Sequence, residues 1–148
     1  MSLEKWVEYG WLKREPTSPE EIRGLLSIVE RGLSDSKVEA ISADLRFIAA
    51  FNSALMAATI ALRVTGYRTS TQAGHHTKTV ESLEFTLPDG GKFIQRLKVL
   101  SNKRNRSSYD AAGAVSDQDL RSAMQLAAQL TEELKDWLQK KHAKLLLE

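Results

Sequence analysis

The chain has no cysteine, which excludes disulfides, thiolate nucleophiles and cysteine-ligated zinc. No run approaches roughly 18 consecutive apolar residues, so the sequence predicts no membrane span. The opening MSLEKWVEYGWLKRE carries acids and lacks an apolar central region, unlike a secretory signal. A cytoplasmic location is the default expectation. There is no Gly-rich phosphate loop, HExxH helix or nucleophile elbow. Period-2 alternation is missing too, so there are no strands to carry the paired carboxylates of a nucleotidyltransferase. Nothing in the pattern calls for a metal or a cofactor. With only 3 prolines and 8 glycines, the chain also lacks low-complexity tracts and any linker long enough to separate domains.

What remains is the composition of one soluble globular domain: 148 residues, 42% hydrophobic and 27% charged. The net charge of +2 is too small to argue a nucleic-acid partner by itself. Its distribution says more. Between Gly90 and Tyr109 lie Lys92, Arg96, Lys98, Lys103, Arg104 and Arg106 with no acid among them. That window carries +6, leaving a net −4 for the rest. Such an asymmetry marks either a solvated basic helix face or a local anion-facing surface.

The organisation reads as helical throughout. Residues 1–17 form an aromatic arm (Trp6, Val7, Tyr9, Trp11, Leu12) ahead of Pro16, which either docks on the body or contacts another chain. Ser18-Pro-Glu-Glu21 is a capping box with proline at the first helical position. Ile22, Leu25, Leu26, Val29 and Leu33 give the helix that follows its apolar stripe, with a break expected near 34–36. A long helix over about 37–65 is apolar on two faces. Leu45, Ile48, Asn52, Leu55, Thr59 and Leu62 line one; Phe47, Phe51, Ala54, Ala58 and Ala61 line the other. Such a helix belongs at the centre of a bundle, and Gly66 supplies its stop. Residues 67–74 read as a loop, and 75–87 as a weaker helix with Val80, Leu83 and Leu87 inward. Pro88-Asp-Gly-Gly91 is a turn, and another helix starts near Lys92. The last begins at Ser116, where Ser-Asp-Gln-Asp119 is a second capping box and Val115 and Leu120 occupy the staple positions. It runs to about Gln139, and the tail 141–148 is expected to fray. The expected fold is all-α, an antiparallel bundle of about five helices over 18–140.

The stretch KRNRSSYD, residues 103–110, looks like an undifferentiated basic run until it is placed on its helix. At about 100° per residue, with Arg104 at zero, Phe93, Leu97 and Leu100 fall within roughly 40° of it. Ser101 and Ser108 lie within about 60°, while Arg96, Lys98, Lys103 and Arg106 point elsewhere. Arg104 therefore continues the apolar stripe. A guanidinium in that position needs a partner, because an unpaired buried charge is costly. The partner is either a carboxylate, such as Asp44 or a glutamate of another helix, or a ligand anion gripped bidentately. Asn105 and Tyr109, spaced i,i+4, share a neighbouring face, and Gly113 lets the chain turn away.

These residues resemble the motif of HEPN domains, small helical bundles that carry Arg-Asn and then a histidine or tyrosine at the end of the penultimate long helix. The alanine-rich helix ending in Val-Thr-Gly66-Tyr67-Arg68, the Gly74-His75-His76 that follows it, and the Val-Ser-Asp opening of the last helix are also similar. The resemblance covers roughly residues 18–140. It implies a homodimer in which two motifs face one cleft. It places Arg104, Asn105 and Tyr109 at a site for nucleotide or RNA phosphate, with Lys103 and Arg106 as peripheral cations. For a bacterial member it further implies a toxin–antitoxin or defence context with a nucleotidyltransferase partner. Many members are metal-independent endoribonucleases using arginine and histidine. Here Tyr109 stands where the histidine would, and a phenol with a pKa of ~10 is a poor base at neutral pH. In a catalytic reading Arg104 and Tyr109 are the residues at stake, and the tyrosine favours binding over cleavage. A non-catalytic interaction module is the third reading. Of the adjacent His75 and His76, at most one can face any given site; a plain surface role at the helix start is the simpler assignment. His142 falls in the tail.

Overall fold

A computed structural model describes residues 1–70, 74–109 and 115–146, with backbone alone for 106–109. The expectations placed on the side chains of Arg106 and Tyr109, and on Gly113, lie outside the described residues. The chain forms α1 (Leu3–Glu8), β1 (Leu12–Arg14), α2 (Pro19–Ser36), α3 (Ala43–Val64), β2 (Tyr67–Thr69), α4 (His75–Glu81), α5 (Ile94–Tyr109) and α6 (Asp117–Lys141). Short 3₁₀ turns at Ser82–Glu84, Gly90–Phe93 and Ala143–Leu146 complete the order. The all-α class expected from periodicity holds, as a helical bundle of six α-helices among the described residues.

One departure is the two-stranded ribbon. β1 and β2 pair antiparallel, with Leu12 opposite Thr69 and Arg14 opposite Tyr67. Each strand has three residues, too few for an alternating pattern to register in the sequence. The pairing fixes the N-terminal segment to the end of α3, where Gly66 adopts a φ of +101° and stops the helix. Around the ribbon, Leu3, Trp6, Leu12 and Leu62 bury a second, smaller core, with Trp6 edge-on to Trp11 and Phe85. Arg68 pairs with Glu15, just after β1, and through Glu21 ties the ribbon to α2. That pairing explains why Ser18 accepts from the Glu21 N–H at 3.1 Å while the Glu21 carboxylate does not close the box. It is drawn instead to Arg68, which, with Thr17, holds it below the usual carboxylate range against the opposing effect of burial. At Ser116 both halves of the box form.

The main core is built on α3. Its Phe47, Phe51, Ala54, Ala58 and Ala61 face is buried, packed against α2 and α6. By length and composition α3 is apolar enough to cross a membrane, with mean hydropathy 1.6. Individual polar residues interrupt the run, which is why a count of consecutive apolar residues passes over it. Most of that apolar window, 61%, is buried inside the bundle. The second face is not covered throughout: Leu45 is 56% exposed and Asn52 is exposed. The helix also starts at Ala43 rather than near 37. α2 ends at Ser36, within the expected break at 34–36, and the Ser36 carbonyl accepts from the Arg46 Nε at 2.8 Å. The C-terminal segment departs from simple fraying too, since Leu145 packs on the core from the last 3₁₀ turn.

Gly32 marks the closest approach of α2 to α3. A Cβ there would collide with Ser53 Oγ and lie 3.0 Å from the Ala49 carbonyl, and Ser53 is already fixed by donating to the Val29 carbonyl at 2.9 Å. Gly32→Ala is therefore expected to destabilise the fold by about 1–3 kcal/mol, despite alanine's better helix propensity. Urea denaturation checks this; a more stable variant would contradict the close approach.

Candidate functional site

α5 is the element on which the site depends. Phe93, Leu97 and Leu100 are buried against the bundle, and the same stripe carries Arg104 inward. Its guanidinium lies 5.9 Å from the centre of the Phe51 ring on α3, within reach of a cation–π contact. Arg104 Nε is shielded from solvent and has no hydrogen-bond partner. Among the described residues no ion pair reaches Arg104, so the carboxylate bridge that would have explained it is not seen there.

The guanidinium opens onto a pocket of about 180 Å³ between α3, α4 and α5. Phe51, Leu55 and Val80 form its apolar floor. Its polar wall is Lys98, Ser101, Arg104 and Asn105 from α5, with His76 and Thr77 from α4. Lys98 is steadied by Glu81 at 2.9 Å. His76 is pushed below its ordinary value, first by burial of its ring against the pocket, then by the charges of His75 and Arg104. The residue still meets solvent over more than a third of its surface, so it stands at the mouth with its ring turned to the site. His75 stacks edge-on against it, ring centres 4.1 Å apart.

The structure thus brings Arg104 and Asn105 into one pocket. Lys103 goes elsewhere, pairing with Asp119 on α6 at 3.2 Å, and it does not line the pocket. Three lining residues were not singled out by sequence reasoning. His76 was set aside because one chain cannot reveal which of two adjacent histidines turns inward. Lys98 sits about 120° from Arg104 on α5, so the projection placed it away from the stripe; α4 packs on that side and makes it part of the wall. Thr77 carried no signal at all. A shallower groove of about 270 Å³ runs between α5 and α6, past Arg96, Val99 and Gln125. Its polar lining of Gln95, Arg96, Ser122 and Gln125 holds a single cation, whereas the smaller pocket gathers Arg104, Lys98 and His76 and is the better candidate for an anion.

A helical bundle with a cationic pocket between three of its helices is the class that fold and geometry define. No family model matches the chain, and no curated protein or solved structure matches it significantly.

Proposed function

We propose that this protein is a HEPN-type module that binds the phosphate of a nucleotide or RNA through Arg104, with Asn105 beside it and Lys98 and His76 across the pocket. The observation that carries the reading is the buried, unpartnered Nε of Arg104 at a pocket wall. A planar guanidinium offers parallel N–H donors that match two phosphate oxygens, and here those donors are not taken up by protein carboxylates among the described residues. Lys103, paired with Asp119, belongs to the wider positive field of α5 rather than to the contact set. The reading includes a homodimer and, in a bacterial setting, a nucleotidyltransferase partner within a toxin–antitoxin or defence module. Thermal melting with ATP, GTP and a short single-stranded RNA tests it. At least one should raise the melting temperature of the wild type and not of Arg104→Ala; equal shifts in both proteins would remove Arg104 from the site.

One observation favours a second reading, a weak metal-independent endoribonuclease. His76, a largely neutral imidazole at pH 7, shares the pocket with Arg104 and can accept the proton of an attacking 2′-hydroxyl where Tyr109 cannot. Single-stranded RNA incubated in EDTA would then acquire 2′,3′-cyclic phosphate ends with wild type and not with His76→Gln. Equal yields from both proteins would remove His76 from this role.

A further inference from the structure

The size of the pocket and the identity of its third cationic group say which kind of phosphate it takes. This step rests on the phosphate-binding reading above and sharpens it. At about 180 Å³ the pocket is smaller than the roughly 300–1,000 Å³ of sites that enclose a whole small-molecule ligand. It has room for a phosphate and little more, so the rest of the ligand stays outside. A phosphate entering such a space end-on has one ester substituent leaving through the mouth. A diester has two, and its second substituent would meet the floor of Phe51, Leu55 and Val80.

Charge points the same way. Arg104 is a permanent cation, and Lys98 is a cation shared with Glu81. Among the described wall residues, His76 is the one that changes charge near neutral pH. Among the described residues, the groups facing it are His75 on its own helix and Arg104 and Lys98 on α5; Glu81 is occupied by Lys78 and Lys98, and α3 contributes no titratable side chain to the pocket. We infer that the pocket is a receptor for a terminal, dianionic phosphomonoester, with His76 becoming protonated as the ligand docks. With the pocket empty, burial and the neighbouring positive charges disfavour the imidazolium. A dianion beside Arg104 reverses the sign of the local field and stabilises it. Free His76 is held below its ordinary value and a bound dianion moves it up, so at pH values between the two binding draws a proton from solution. The ligand contributes the opposite sign: a phosphomonoester with a second pKa of about 6 releases its residual proton on binding as a dianion. Net uptake at pH 7 therefore reports His76.

The test uses AMP as monoester, adenosine 3′,5′-cyclic phosphate as diester, and inorganic phosphate. Each is titrated calorimetrically at pH 7.0 in buffers of different ionisation enthalpy. AMP is expected to bind at least tenfold more tightly than the cyclic diester, inorganic phosphate to compete with it, and AMP binding to take up a fraction of a proton. His76→Gln should abolish the uptake and bring the AMP preference down several-fold, while binding still depends on Arg104. Equal affinities for AMP and the cyclic diester, both lost in Arg104→Ala, would overturn the monoester inference and leave the phosphate site standing. Unchanged proton uptake in His76→Gln would overturn the role of His76. No binding of any probe, or binding indifferent to Arg104→Ala, would overturn the site and the inference together.

Discussion

Replacing Arg104 is expected to cost about two orders of magnitude in affinity for a phosphate-bearing ligand and to leave the fold no less stable. Each hydrogen bond to a charged group contributes roughly 1.5–3 kcal/mol. A bidentate grip is therefore worth about 3 kcal/mol or more, which is about a hundredfold in Kd. The stability half of the expectation follows from the missing partner. Removing one member of a buried ion pair typically costs about 3–5 kcal/mol, because it strands the other charge. No described carboxylate would be stranded here, and a guanidinium nitrogen now buried without a hydrogen bond would be taken out of an unfavourable setting. Arg104→Met is the cleaner variant, since it keeps an unbranched apolar chain on the stripe while removing the guanidinium that lies over Phe51. Urea unfolding should place it within about 1 kcal/mol of wild type or above it. A loss of about 3 kcal/mol or more would mean that Arg104 is a structural ion-pair member, and the protein would then be better read as an interaction module.

The second large effect concerns how α5 is seated. Leu97 is fully buried and sits about two turns before Arg104 on the same stripe. Leu97→Ala removes its contacts and leaves a cavity, at a cost of about 2–5 kcal/mol. For a chain of this size each kcal/mol lowers the melting temperature by roughly 2–4 °C, so a fall of about 4–20 °C is expected. Ligand affinity should drop with it, although Leu97 does not line the pocket, because Arg104 and Lys98 depend on the placement of α5. Val99, 56% exposed on the same helix, is the control; Val99→Ala should change stability by about 0.5 kcal/mol or less. Equal effects at both positions would contradict the orientation of α5.

How much of this was legible in the sequence depends on how far apart the interacting residues lie. Ser116, Asp119 and Val115 specify the start of α6 through contacts within one turn, and they read correctly. The inward turn of Arg104 is also local, because it follows from the phase of Phe93, Leu97 and Leu100 on one helix. What was not legible depends on neighbours distant in sequence. The Glu21 carboxylate leaves its capping box for Arg68, 47 positions away. The three-residue ribbon between Leu12 and Thr69 forms only because α1 and the end of α3 come together. His76 and Lys98 become wall residues only once α4 is laid across α5, and neither helix alone carries that instruction. Of the four residues proposed to meet the phosphate, Arg104 and Asn105 were thus written in one helix; His76 and Lys98 are tertiary.

The phosphate grip at Arg104 is tested most directly by NMR of the Arg104 Nε–Hε group during titration with inorganic phosphate and AMP. That N–H has no acceptor among the described residues, so a docking phosphate should move its resonance strongly downfield and slow its exchange with water. The His76 ring and the Asn105 amide should shift at the same ligand concentration. An Arg104 signal that stays in place while lysines and arginines over the surface drift together would contradict a phosphate site at this pocket.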